Sequence, residues 1–335
     1  MEYRNFGRTG VKVSPICLGA MMFGGRTAPE DSYAIIDKAI DQGINFIDTA
    51  NRYSLGRSEE VVGEAIKRRG RRDSLVLATK VHGQMDAEDP NAQGNSRLHI
   101  IQQCEASLRR LQTDWIDLYQ IHRPQSDIPI DETLRAMDDL IRDGKVRYIG
   151  SSTFGAWQLV ESVYVAKGLG LNRFICEQPP YNLLDRRIER ELVPMAQTYG
   201  FAIIPWSPLG GGLLTGKYQR GQPLPEGARF SDQGRPGASR RLNDQVYDVV
   251  EGLQPLAREK DCTLSQFALA WVMQQPGVTS AIIGPRTMGQ FDDNIGAQNV
   301  SFSDEELKQI DRVIRRGASV APFYEADFGP HQYRV

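Results

Sequence analysis

Hydrophobic and polar positions along this chain follow one recurring order. A stretch with helical period ends at a glycine, a short apolar run follows, and a polar loop leads into the next helical stretch. The spacing predicts a helix over 28–42, with Ala34, Ile35, Ala39 and Ile40 on one face and Gly43 as its left-handed stop. A second helix runs from Asp131 to Gly144, and a third over 189–199 ends at Gly200. Apolar runs without strict alternation predict strands over 16–19, 44–48, 75–80, 115–121, 146–150, 174–178, 201–205 and 280–283. Val, Ile and Leu in unbroken runs are what a strand buried on both faces requires.

Eight such β/α units within one chain of 335 residues predict a single (β/α)₈ TIM barrel, an α/β fold spanning 1–335 as one domain. An open doubly wound sheet is the alternative. The segment 3–14, with Thr9-Gly10 at its centre, reads as an N-terminal hairpin that plugs the lower mouth of the barrel. Thr263 with Gln266, and Ser303 with Glu306, form capping boxes that start two late helices. The Ser303 helix falls beyond the eighth unit and is expected as an addition on the outside. Three stretches exceed ordinary barrel turns, at 84–95, 218–244 and the tail 317–335. Phe323, Tyr324, Phe328 and Tyr333 crowd aromatics into that tail. Such composition is unlike a disordered end and predicts that the tail folds over the barrel mouth.

Composition removes several classes of function. Lys plus Arg total 40 and Asp plus Glu 42, a net charge of −2, so no electrostatic drive toward nucleic acid or anionic membrane exists. No apolar run approaches transmembrane length, and the first residues lack a signal-peptide core. A cytoplasmic protein is expected. Cys17, Cys104, Cys176 and Cys262 are far apart in sequence and read as reduced core thiols, and the four histidines lack metal-ligand spacing. No metal is expected. A homo-oligomer is compatible with this pattern but not required by it.

In a barrel of this class, chemistry is carried by residues at the C-terminal ends of the strands. Asp48 ends the second strand, with Tyr53 in the loop behind it, Lys80 ends the third, and His122 follows the fourth. Each alone has a structural explanation, as a turn cap, a solvated amine or a satisfied core imidazole. On three consecutive strand ends they become one constellation. A phenol can protonate a carbonyl oxygen, an adjacent ammonium favours the phenolate left behind, a carboxylate keeps the ammonium in place, and a histidine orients the carbonyl. None of them supplies electrons, so a cofactor must.

The remaining strand ends suit that cofactor. Ser152, Thr153 and Gln178 offer hydroxyls and an amide, Trp206 offers a flat ring, and Ser207 and Pro208 follow it. Gly284-Pro285-Arg286-Thr287 leads into a helix and reads as an anion site. The dinucleotide motif GxGxxG is missing, and so is a Tyr followed four residues on by Lys. The run from Gly211 to Lys217 imitates a P-loop but ends in Tyr218, which has no aliphatic hydroxyl for magnesium.

These residues resemble the aldo-keto reductases over essentially the whole chain. The resemblance is carried by Asn45-Phe46-Ile47-Asp48-Thr49-Ala50 with Tyr53, Gly56-Arg57-Ser58-Glu59-Glu60, Ala78-Thr79-Lys80, Gln120-Ile121-His122, Ile149-Gly150-Ser151-Ser152, Gln178, Trp206-Ser207-Pro208-Leu209-Gly210 and Ala281-Ile282-Ile283-Gly284. It implies a barrel that binds extended NADPH, with NADH as the weaker alternative, and a tetrad of Asp48, Tyr53, Lys80 and His122 in which Tyr53 is the acid. The cofactor contacts it implies add Gly19, Met21, Met22, Leu209, Gly211, Lys217, Ile283, Gly284, Arg286, Gln290, Asp293 and Asn294 to those above. Asp293 and Asn294 match a pair that holds adenine. Phe23, Tyr53, His122 and Arg123 are the candidate contacts to a small carbonyl substrate. The sequence departs from many relatives at Thr153, where Asn is common, and at Gln290, where Lys or Arg is common. Positive charge at the adenosine phosphate then falls to Arg286 and Lys217. Chain length and the long loop after the seventh strand resemble the bacterial and channel-subunit branch. A regulatory channel subunit that senses NADPH is therefore the rival to a carbonyl reductase, although the short N-terminus offers no extension to act on a pore.

Overall fold

The computed structural model describes residues 1–230 and 241–321. Two antiparallel strands, β1 (Arg4–Asn5) and β2 (Lys12–Val13), precede eight parallel ones. These are β3 (Ile16–Gly19), β4 (Phe46–Asp48), β5 (Val76–Val81), β6 (Ile116–Ile121), β7 (Val146–Ser152), β8 (Cys176–Gln178), β9 (Ala202–Ile203) and β10 (Ala281–Ile283). Each pairs with the next in sequence from β3 to β9, and β10 returns beside β3. Three backbone bonds close the ring on the other side of β10. Ile203 N–H donates to Gly277 O at 3.3 Å, Thr279 N–H to Ile203 O at 2.8 Å, and Ile282 N–H to Pro205 O at 2.9 Å. The eight predicted strands and the (β/α)₈ barrel are thus observed, with some strands shorter at their ends than the apolar runs that announce them.

Helices α1 (Pro29–Asp41), α2 (Arg57–Arg69), α3 (Arg97–Leu111), α4 (Ile130–Arg142), α5 (Ala156–Leu169) and α6 (Leu192–Tyr199) each follow one strand. The helix expected over 189–199 starts later than its pattern, because a separate 3₁₀ turn, Arg187–Glu189, precedes α6. Two helices, α7 (Asp244–Glu259) and α8 (Leu264–Met273), follow β9, and α9 (Met288–Ile295) follows β10. The capping boxes of Thr263 and Ser303 both form. The second opens α10 (Asp304–Val313), which packs outside the ring against α7. No helix among the described residues is long and apolar enough to cross a membrane.

Phe6, Cys17, Phe46, Ala78, Leu118, Cys176, Ala202, Ile204 and Ile282 form a cluster separate from the larger core that contains the ring helices. Phe6 belongs to the N-terminal hairpin and meets Phe46 edge to face at 5.5 Å between ring centres. The tip reaches the sheet backbone, and a side chain at Gly7 (φ +57°) would come within 2.9 Å of Ile175 O, Gly200 O and Ala202 N. Asn45 ties the hairpin down, accepting from Ser14 N–H at 2.8 Å and donating to Lys12 O at 2.9 Å. With the lower end plugged, the opposite end of the barrel is the one left for a ligand. The aromatic tail with Phe323, Tyr324, Phe328 and Tyr333 lies outside the described residues.

Candidate active site

The upper mouth opens into a cavity of about 880 Å³. Its floor is set by strand register: Asp48 stands beside Gly19 across β3 and β4, Lys80 beside Gln120 across β5 and β6, and Ser152 beside Gln178 across β7 and β8. Gly19 is glycine because the strands meet closely there, and a Cβ would lie 2.6 Å from Ile282 Cγ2.

Lys80 has no exposure to solvent, and its three donors are directed at Asp48 Oδ1, Thr49 O at 2.8 Å and Tyr53 Oη at 3.3 Å. The other carboxylate oxygen of Asp48 accepts from Gln120 Nε2 at 2.9 Å and Gln178 Nε2 at 3.0 Å. Burial disfavours the charged lysine, but the Asp48 carboxylate and the Tyr53 oxygen overcome it and hold the amine above its ordinary value. The pair is saturated by hydrogen bonds, which a buried ion pair needs if it is not to be a liability.

Tyr53 heads a 3₁₀ turn, Tyr53–Gly56, in which Ser54 (φ +49°) and Leu55 (φ +53°) occupy the left-handed region. Strain of this kind persists only where the surroundings fix it. Here Ser58 does so at the start of α2, donating to Ala20 O at 2.7 Å and meeting Thr49 Oγ1 at 2.8 Å. Glu59 is fully buried, accepts from Thr79 Oγ1 at 2.5 Å and from Arg110 Nε at 2.6 Å, and so anchors the strand that carries Lys80. His122 lies edge to face against the Tyr53 ring, 5.6 Å between centres. Burial, then the charges of Arg123 and Lys80, push its imidazole well below the ordinary histidine value, so it is neutral at neutral pH.

The structure brings nearly all the predicted positions to this cavity. Gly19, Met21, Met22, Asp48, Tyr53, His122, Arg123, Ser152, Gln178, Trp206, Ser207, Pro208, Leu209, Gly211, Lys217, Ile283, Gly284, Arg286, Gln290, Asp293 and Asn294 all line it. Two candidates lie away from the cavity wall. Phe23 is completely buried in the core shared with the ring helices. Thr153 does not line the cavity, because its left-handed backbone (φ +61°) turns the side chain aside and its hydroxyl donates to Ser152 O at 2.6 Å. Gln290 supplies no charge but shapes the turn, its Oε1 accepting from Arg286 N–H at 2.8 Å.

Sequence reasoning missed Gln120, whose amide completes the Asp48 network, although it shares a strand face with His122. It also missed Arg26, Arg229 and Arg241, which join Lys217 and Arg286 in the cavity wall. Burial and the nearby charge of Arg286 lower the Lys217 amine, a sign that the wall concentrates positive charge. Arg286 is placed by two further bonds. Its Nη1 donates to Gly227 O at 3.2 Å, and its carbonyl accepts from Thr27 Oγ1 at 3.2 Å. A Cβ at Gly284 or Gly289 would meet nothing within 4 Å, so the backbone on both sides of Arg286 borders open space. The first N–H groups of α9 start there, with Thr287 as the N-cap. A cation-rich wall, bare backbone and a helix N-terminus fit a long, phosphate-bearing group. At the other end of the cavity, Trp206 Nε1 is buried without a partner among the described residues.

Comparison with known proteins agrees with this geometry. The family model described as "Aldo/keto reductase family" matches residues 15–315. A protein of Oryza sativa subsp. japonica named "Probable voltage-gated potassium channel subunit beta" is 38% identical over 321 residues, covering 94% of this chain and 97% of its own. The "Uncharacterized oxidoreductase YrpG" of Bacillus subtilis is 39% identical over 324 residues, covering 94% and 96%. A "Putative voltage-gated potassium channel subunit beta" of Schizosaccharomyces pombe is 38% identical over 325 residues, covering 94% and 93%. With its barrel, its ordered strand-end residues and this match over nearly its full length, the chain belongs to the aldo/keto reductase family.

Proposed function

We propose that the protein is an NADPH-dependent carbonyl reductase in which Tyr53 is the general acid. The observation that carries this reading is the buried series from Asp48 through Lys80 to Tyr53, whose last contact is 3.3 Å long at the edge of the cavity. The cation-rich wall of Arg26, Lys217, Arg229, Arg241 and Arg286 would hold the cofactor phosphates, Asp293 and Asn294 the adenine, and Ser152, Gln178 and Trp206 the nicotinamide. When bound, the nicotinamide supplies the hydride taken up by the carbonyl carbon. Tyr53 gives the proton of its Oη to the carbonyl oxygen. Lys80 stays charged and donates to Oη, so it stabilises the phenolate as the proton leaves. His122, being neutral, offers an N–H to the carbonyl oxygen without adding a second cation beside Lys80. In the reverse direction the same groups take a proton from an alcohol.

The test is loss of NADPH absorbance with a panel of aldehydes and ketones. Turnover with several members supports the reductase. Tight NADPH binding with no turnover across the panel would favour the second reading, a cofactor-sensing regulatory subunit. The names of the rice and fission-yeast relatives motivate that second reading.

A further inference from the structure

We infer that the loop 20–27 is a strut between the two ends of the cavity, with Thr27 and Ser58 as positioning residues through which phosphate binding at Arg286 steadies the Tyr53 turn. This deepens the reductase reading and rests on its placement of the cofactor phosphates. The need for a strut is visible at Tyr53 itself. The next two residues, Ser54 and Leu55, both occupy the left-handed region and are both exposed, so their own packing does not fix them. Within the turn, Tyr53 N–H donates to Ala50 O at 3.1 Å and Leu55 N–H to Arg52 O at 3.2 Å. Further support comes from the loop that follows β3.

At the reacting end, Ser58 Oγ donates to Ala20 O at 2.7 Å. A Cβ at Gly25 would lie 2.6 Å from Ser54 Oγ, and one at Gly24 (φ +67°) would lie 2.7 Å from Arg57 Cγ, so the loop backbone rests directly on the turn. The loop is tied across itself at four points. Phe23 N–H donates to Ala20 O at 3.0 Å, Gly24 N–H to Thr27 O at 3.0 Å, and Met22 O accepts from Gly25 N–H at 3.2 Å and from Thr27 N–H at 3.0 Å. Phe23, completely buried, pins the middle of the loop in the core, which gives an apolar residue away from the cavity wall a part in the site. At the far end Thr27, also buried, donates its Oγ1 to Arg286 O at 3.2 Å. A series of bonds thus runs from Arg286 through Thr27 and Met22 to Ala20 and Ser58. Coupling between separated sites is carried by chains of bonded and packed groups of this kind. A phosphate that immobilises Arg286 removes freedom from the loop and, through Ser58, from the turn that carries the acid. Binding energy taken at the adenosine end is then used to align the proton donor, where small displacements cost much in rate. The reaction itself is unchanged.

The test uses adenosine 2′,5′-bisphosphate, which carries the phosphates of the adenosine half of NADPH and has no nicotinamide to reach Tyr53. At saturation, checked by calorimetry, it should slow amide hydrogen exchange in residues 53–58 of the wild type roughly 2–10-fold, the worth of one neutral hydrogen bond. Thr27→Val keeps the branched shape and removes the hydroxyl, and Ser58→Ala cuts the opposite end of the series. In each variant, exchange in 53–58 should be the same with and without the saturating nucleotide. Turnover gives a second readout. Single-turnover hydride transfer in the wild type should be faster with NADPH than with NADH by the same roughly 2–10-fold, and Thr27→Val should bring the two rates together. No slowing of exchange in the saturated wild type, or slowing that survives in either variant, overturns the proposal while leaving reduction intact. So does a wild type that fails to bind the nucleotide, because the phosphates are then not held at Arg286. If the slowing appears and depends on Thr27 and Ser58 but no carbonyl compound is reduced, the strut stands and the reductase reading fails.

Discussion

Asp48→Asn isolates the electrostatics of the site. The substitution keeps size and shape but removes the counter-charge from an ammonium with no solvent exposure. Leaving one member of a buried ion pair unpaired costs about 3–5 kcal/mol. Lys80 keeps Thr49 O and Tyr53 Oη as acceptors, so the expected loss lies near the lower limit, about 3 kcal/mol. The pH dependence carries a sign. In the wild type the native Lys80 value is raised, so its contribution is complete below the unfolded value and is lost as pH rises through the native one. In Asp48→Asn, burial acts with little opposition and depresses the native value. The unfolded state then binds more protons, and stability rises by about 1.4 kcal/mol per pH unit in that window. Urea midpoints for both proteins between about pH 7 and pH 9 should therefore converge as pH rises. Adding Lys80→Met to Asp48→Asn removes the stranded charge and should restore most of the stability. A loss under about 1 kcal/mol, the range of an exposed pair, with no narrowing of the gap at higher pH would refute this account of the site.

Three further outcomes follow from the same structure. Arg286→Ala should weaken NADPH binding roughly 10–150-fold and leave NADH almost unchanged, read as dissociation constants by fluorescence titration; comparable losses for both cofactors would remove Arg286 from the phosphate site. Glu177→Gln should stabilise the protein relative to the wild type as pH rises from the ordinary carboxyl value toward about 8, because a raised native carboxyl loses stability across that window; parallel denaturation curves would contradict it. His99 is buried, and burial lowers its imidazole to about 4. His99→Leu should therefore flatten the acid limb of the stability curve between the ordinary histidine value and about 4, and an unchanged acid limb would show that this imidazole does not remain neutral.

The barrel is legible in the sequence because its strands are buried on both faces. In Ile116–Ile121 the two polar interruptions have different reasons: Asp117 pairs with Arg72 on one face of the strand, and Gln120 stands on the other face, at the site. The meeting of Asp48, Lys80 and Tyr53 is legible for the same reason, since polar residues that end consecutive apolar runs come together at one mouth of the barrel. Residues beyond the strand ends are harder to read. Phe23 sits next to the site in sequence, but the turn after β3 directs it into the core, and an apolar residue looks the same in either place. The left-handed backbone at Thr153 leaves no mark in a threonine, a residue that rarely adopts it. Arg26 and Arg229 stand in turns, where no periodicity says which way a side chain points. The cation wall emerges only once the loops are placed around the barrel mouth.

The central claim is that Tyr53 delivers the proton, and Tyr53→Phe tests it most directly. Phenylalanine keeps the ring packed edge to face against His122 and removes only the hydroxyl that Lys80 contacts. With a carbonyl substrate that the wild type reduces, kcat should fall by about 10²–10⁴-fold, the usual loss of a general acid. The NADPH dissociation constant should stay within about threefold, far less than the loss of one charged contact. A variant that binds NADPH as the wild type does and keeps more than about a tenth of its kcat would contradict the assignment.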